Sequence, residues 1–225
     1  MRTNASPTTT TSLCDYSRLT RMRSLLGQIK LLRGSPLAAL DELAEGARII
    51  RCGRGETIAP QSDPQRCIFL VSFGRVRLRH RSDNGRELIL NDVQAGEWFG
   101  EESLSGEAAW RSSAVALDET TVVAVEASQF AAFLSMRPRT ALNFALQLAQ
   151  RLSGTRAALA SVALHSVEER LLSTLEQLDA AGDDFPTHAE LAARVGACRE
   201  TVTRTLTSLT RRGLLVAGGG RYVRR

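Results

Sequence analysis

The hydrophobic period of this chain changes after Pro138, and that change limits what can fold on either side of it. Upstream, residues 47–126 form short alternating segments broken by Gly55, Gly74, Gly85 and Gly96. The stretch "RVRLRH" puts Val76 and Leu78 on one face and Arg75, Arg77 and Arg79 on the other, the period of two of a half-buried strand. "CIFLV", "RELIL", "SSAVAL" and "TVVAVE" read as further strands. About eight such strands predict an antiparallel β-roll of jelly-roll type. Downstream, Ala145, Leu148, Leu152, Thr155, Leu159, Val162 and Ser166 recur at alternating three and four residues. This is a heptad seam on a long helix. It predicts a parallel homodimer through that helix, against the alternative of a helix packed only on its own roll. Thr155 is the polar member, and a polar side chain in a seam costs stability unless it has a partner.

The last part of the chain changes texture again. Thr187 and Glu190 follow Pro186 with the spacing of a capping box and open the helix "HAELAARV". Gly196 makes a turn, and a second helix runs over residues 199–210 with Val202, Leu206 and Leu209 facing inward. "LLVAGGGRYV" reads as two short strands around Gly218, Gly219 and Gly220. Two helices on a glycine turn followed by a β wing make a winged helix-turn-helix. The fold class is therefore α+β: a roll, a long helix and a DNA-binding unit. The boundaries expected are a flexible tail over 1–24, the roll over 25–136, the dimerisation helix over 137–166 and the winged unit over 167–225.

Charge points to an anionic partner: the net charge is +5, and Lys30 is the only lysine among the 29 basic residues. Arginine's planar fork suits phosphates and guanine edges. No apolar run is long enough for a membrane span, and no signal pattern opens the chain, so cytosol is the expected compartment. Cys14, Cys52, Cys67 and Cys198 are scattered, as are His80, His165 and His188, so neither a metal nor a heme is expected. There is no catalytic triad, no carboxylate pair in an apolar cleft and no P-loop, which reads as a regulator rather than an enzyme.

Two motifs carry a resemblance. "FGEESLSGEAAWRSSA" at residues 99–114 and "VGACRETVTRTL" at residues 195–206, in this order, resemble the Crp/Fnr family of bacterial transcription regulators, and within it the cyclic-AMP-responsive members. The resemblance covers nearly everything after residue 25. It implies that the first motif is a cassette holding the phosphate of a cyclic nucleotide. Arg111 and Ser112 would supply the cation and donors that a cyclic phosphodiester needs. Backbone N–H groups near Glu102 and Ser103 would add to them, Glu101 would accept from the ribose 2′-hydroxyl, and Gly100 would allow close approach of the sugar phosphate. On the long helix the implied nucleotide contacts are Arg151, Thr155 and Arg156. In the cyclic-AMP-responsive members a serine follows the threonine and reaches the adenine across the dimer. Arg156 stands there instead and matches guanine O6 and N7, which makes cyclic AMP the first expectation and cyclic GMP the second.

The second motif implies a recognition helix. Arg199, Glu200 and Arg204 match the family's base-reading positions, with Thr187, Thr201 and Thr203 completing the expected DNA contacts. The implied operator is a palindrome of TGTGA-like half-sites about one helical turn apart. RNA polymerase is the implied protein partner. Cys198 departs from the pattern: it stands at the helix N-cap, where the family often has serine and where cysteine is a poor cap. The alternative is a regulator of the same build that binds no nucleotide and answers to redox or another signal.

Overall fold

The computed structural model describes residues 12–64, 66–106, 110–181, 185–218 and 221–224. The first eleven residues of the expected tail, residues 107–109 of the cassette and Gly219–Gly220 of the wing turn therefore lie outside the described residues. The expected tail boundary at residue 24 is corrected, because helix α1 (Ser12–Leu26) begins at Ser12. Met22 and Leu26 are buried in the main core, with Leu19 packed against it, so three- and four-residue spacing gives α1 a packing face. Arg23 grips Asp41 of α2 (Leu37–Glu45) through Nε at 2.8 Å and Nη2 at 2.7 Å, tying the two helices together.

Eight strands then build the roll, as the alternation predicts. β1 (Arg48–Cys52), β8 (Thr120–Glu126), β3 (Cys67–Phe73) and β6 (Trp98–Phe99) form one antiparallel sheet in that order. β2 (Thr57–Ala59), β7 (Ser113–Ala116), β4 (Arg75–Arg81) and β5 (Glu87–Gln94) form the other. Inward-facing Phe69, Val71, Val76, Val93, Phe99 and Val122 fill the space between the sheets. Helix α3 (Ala127–Ser135) closes one end and leads into α4 (Pro138–Leu164), which starts with proline in its first turn, where no N–H is needed.

One face of α4 lies on the roll: Phe144 packs on Trp98 with ring centroids 4.5 Å apart, and Trp98 Nε1 donates to Gln147 Oε1. Leu142, Leu146, Leu152, Leu159 and Val162 stay exposed on the rest of the helix, while Leu148 leans on the roll core. The seam is shorter than expected at its far end. The helix stops at Leu164, His165 is extended at φ −107° and ψ 143°, and Ser166 instead caps the next helix through Glu169. Arg170 spans the break by donating to the carbonyls of Val162 and His165.

Helices α5 (Val167–Ala181), α6 (His188–Val195) and α7 (Arg199–Arg211) share a second core of Leu171, Leu175, Leu191, Val202, Leu206 and Leu209. The capping box of Thr187 and Glu190 is present, and Gly196 turns the chain in the left-handed region at φ 66°. Strands β9 (Leu215–Gly218) and β10 (Arg221–Arg224) pair antiparallel as the wing. Helix α6 rests on β5, so the DNA-binding unit sits against the roll of its own chain.

Candidate nucleotide pocket and DNA-reading face

The cassette is a loop pinned at both ends by aromatic rings. Phe99 stacks on Phe69 at 4.9 Å, and Trp110 meets both edge-on at 5.7 and 5.5 Å. Gly100 follows at φ 97°, and a Cβ there would fall 2.7 Å from the Cys67 carbonyl and 2.9 Å from the Trp110 ring. Glycine is thus required by the roll's own packing, whatever a ligand also asks of it. Glu101–Ser105 form a short 3₁₀ turn. The Ser103 N–H donates to the Gly100 carbonyl and its hydroxyl to the Cys67 carbonyl, so both of its donors are already committed. Glu102, like Glu101 and Ser103, lies half-buried in the same turn.

Glu101 is held from the long helix. Arg151 Nη1 lies 3.2 Å from each Glu101 oxygen, its guanidinium stacks 3.7 Å from the Trp98 ring, and Nη2 donates to the Trp98 carbonyl. One turn further, the exposed Thr155 hydroxyl donates back to the Arg151 carbonyl at 2.9 Å. Its need for a partner is therefore met within its own helix. Arg156 is exposed, with no partner among the described residues.

At the far end of the cassette, Arg111 is exposed and its carbonyl is hydrogen-bonded by His80 Nδ1 of β4. Ser112 is only 4% exposed, and its hydroxyl has no partner among the described residues. The buried Nε1 of Trp110 is also unpaired. No spacing rule flags Trp110; its only signal was its place directly before Arg111.

On the DNA-binding unit, Arg199, Glu200, Thr203 and Arg204 lie on the exposed face of α7. Cys198 makes no side-chain cap bond to the helix. Its thiol lies 3.0 Å from the Thr201 hydroxyl, and hydrogen bonding to Thr201 pulls it below its ordinary value. Thr187 is engaged in the cap of α6. Thr203 bonds His188 Nδ1 at 3.0 Å, and His188 Nε2 lies 3.4 Å from the Tyr222 hydroxyl of the wing. Sequence reasoning missed His188, whose role is visible only once α6, α7 and the wing are in place. It also missed Arg77, Asp92 and Arg194, which join the roll to α6.

Among the described residues no group of His, Cys, Asp and Glu could hold a metal ion, and no helix is long and apolar enough to cross a membrane. A roll with a polar cassette, a long helix and an exposed recognition helix define a ligand-sensing, DNA-binding regulator. Residues 49–137 match the cyclic nucleotide-binding domain, and residues 169–224 match the Crp-like helix-turn-helix domain. The chain is 34% identical over 170 residues to the cyclic AMP receptor protein of Thermus thermophilus, covering 74% of this chain and 79% of that one. It is 27% identical to the CRP-like cAMP-activated global transcriptional regulator of Mycobacterium tuberculosis, over 85% of this chain and 90% of that one. The solved catabolite activator protein of Thermus thermophilus superposes with a TM-score of 0.52 at 31% identity, covering 87% and 93% of the two chains. The c-di-GMP responsive global regulator CLP of Xanthomonas campestris shares the fold, with a TM-score of 0.74 at 22% identity over 84% and 99%. The chain belongs to the Crp/Fnr family of transcription regulators. Members of this family are regulators and not enzymes.

Proposed function

We propose that this chain acts in the cytoplasm as a homodimer that reads a palindromic operator under the control of a cyclic nucleotide. The supporting observation is Ser112. The residue is buried and its hydroxyl has no partner among the described residues; two positions before it, the fully buried Trp110 Nε1 lacks one as well, although buried polar groups are almost always hydrogen-bonded. A cyclic phosphodiester answers that arrangement: Arg111 offers charge, Ser112 a donor, and Glu101, steadied by Arg151, an acceptor for the ribose hydroxyl. Cyclic AMP is the first choice, because it is the effector in the relatives' names. Cyclic GMP is second, supported by the unpartnered Arg156, whose fork fits guanine O6 and N7.

Exposed Leu152, Leu159 and Val162 form the dimer face, with Thr155 between them. Arg199, Glu200 and Arg204 read TGTGA-like half-sites about one helical turn apart, and Thr201 and Thr203 orient that end of the helix. RNA polymerase is the partner through which operator binding reaches transcription. Calorimetry with each nucleotide tests the reading. Heat with cyclic AMP, less with cyclic GMP, and a wider gap in Arg156→Ser are expected. No heat and no thermal shift from either nucleotide at millimolar concentration would remove the ligand.

A further inference from the structure

Roll and DNA-binding unit meet at four charges. Arg77 of β4 grips Asp92 of β5 with Nε–Oδ1 at 2.7 Å and Nη2–Oδ2 at 2.8 Å. Its remaining nitrogen, Nη1, reaches Glu190 Oε1 of α6 at 2.9 Å. Arg194, one turn along α6, returns to Asp92 Oδ2 at 2.9 Å. The side chains of Arg77 and Asp92 are only 11% and 19% exposed. Two positive and two negative charges close the cluster, which is the condition under which ions tolerate burial. A fork-shaped arginine between two carboxylates also fixes angles, not only distance.

The platform under the cluster is stiff. β4 is an inner strand, paired in register to β5 on one side and β7 on the other, with Arg77 opposite both Asp92 and Val115. Leu88 of β5 lies beside the Gly196 turn, its Cδ1 3.6 Å from where a Cβ there would sit. The other connection is the covalent one, through the extended His165 between α4 and α5. Arg170 of α5 braces that link to the end of α4 through the Val162 and His165 carbonyls, whereas the charge cluster ties the unit to the roll itself.

We propose that Arg77 and Asp92 are positioning residues for operator recognition: their ionic seam with Glu190 and Arg194 fixes the orientation of the DNA-binding unit on the roll. The proposal rests on the reading of the chain as a dimeric DNA-binding regulator. Two recognition helices can meet half-sites one turn apart only if each is held at a set angle to the dimer helix, so the seam determines which spacing is read.

The test uses the full-length protein with Cys14 and Cys52 replaced by serine, Cys67 being buried. One spin label goes on the native, exposed Cys198 and one on Asp83→Cys in the exposed turn between β4 and β5, diluted with unlabelled protein. One narrow distance distribution is expected with the seam intact. Arg77→Ala broadens it, and Arg194→Ala, which breaks the seam from the α6 side, does the same, while Arg81→Ala on the same strand leaves it narrow. In gel shifts on palindromes lengthened or shortened by a base pair, both seam variants relax the penalty for wrong spacing by about tenfold, with half-site affinity unchanged. Narrow distributions in both seam variants overturn the proposal, as do broadened distributions with an unchanged spacing profile. A monomeric mass for the unaltered protein would instead strike the dimer reading, and the label distances would still decide the seam.

Discussion

Among the described residues, two ionic sites join the roll to the helices that follow it, and they are built differently. Arg151 and Glu101 form a single pair between α4 and the cassette, 25% and 31% exposed, with both bonds at 3.2 Å. Arg77 and Asp92 sit deeper, with shorter bonds, and each has a second partner of opposite charge on α6. The first contact leaves a partly wet carboxylate that a sugar hydroxyl can approach. The second leaves no ion in the cluster without a counter-charge. The first contact is a single, partly exposed pair; the second is a neutralised cluster with its two roll members, Arg77 and Asp92, the more deeply buried.

Removing one ion from each contact is the strongest way to break this comparison. Asp92→Ala leaves two arginines facing each other at the seam and should cost about 3 kcal/mol in urea unfolding. Glu101→Ala should cost no more than about 1 kcal/mol, as partly exposed pairs do. Equal losses would mean that the two contacts are not different in kind. Ligand affinity should separate them the other way. Arg151→Gln is expected to weaken cyclic AMP binding about tenfold in calorimetry, because Glu101 loses its support, at little cost in stability.

A smaller effect follows from acid. Burial works to raise the Asp92 carboxyl, but hydrogen bonds and charge from Arg77, with Arg194 adding, hold it below its ordinary 3.8. For Glu190, burial also pushes upward, and the Thr187 backbone N–H and Arg77 outweigh it. A depressed carboxylate stabilises the fold above its unfolded value and loses that contribution as pH falls through its folded value. Urea unfolding at stepped pH should therefore show a constant gap between the unaltered protein and Asp92→Asn from neutrality down to the ordinary carboxylate range. The gap should close below it; closure nearer neutral pH would contradict the pairing. The smallest effect is at the recognition helix. Cys198→Ser supplies a better cap and should raise the melting temperature by roughly 2 °C, leaving base preference in gel shifts as it was.

The same contrast marks what could be read from sequence. Strand alternation, the capping box at Thr187 and Glu190 and the inward face of α7 are local patterns, and the structure follows them. The arginine stripe on β4 was legible as a polar face, but not what it meets. Arg75 pairs with Asp118, Arg79 with Glu87, and Arg77 with a residue 113 positions away. A period of two says which side chains point out and nothing about what packs on them. Before the roll, a short helical region reaching to about Leu32 could be read, but not its extent as helix α1: its few buried positions, Met22 and Leu26 with Leu19 beside them, are diluted by Ser, Thr and Arg. The end of α4 was overextended because Ser166 keeps the heptad spacing, while its hydroxyl and Glu169 start a new helix.

Glu190 divides its carboxylate between two tasks. One oxygen accepts the Thr187 N–H that begins α6, and the other accepts Arg77 from the roll. Grafted onto a foreign sensor, residues 167–225 would bring the first bond with them and leave the second behind. Such a hybrid would fold and bind a lone half-site, yet arrive without the arginine that gives it a bearing. Portability of this reading head and inheritance of its direction are separate properties, parted between two oxygens of one side chain.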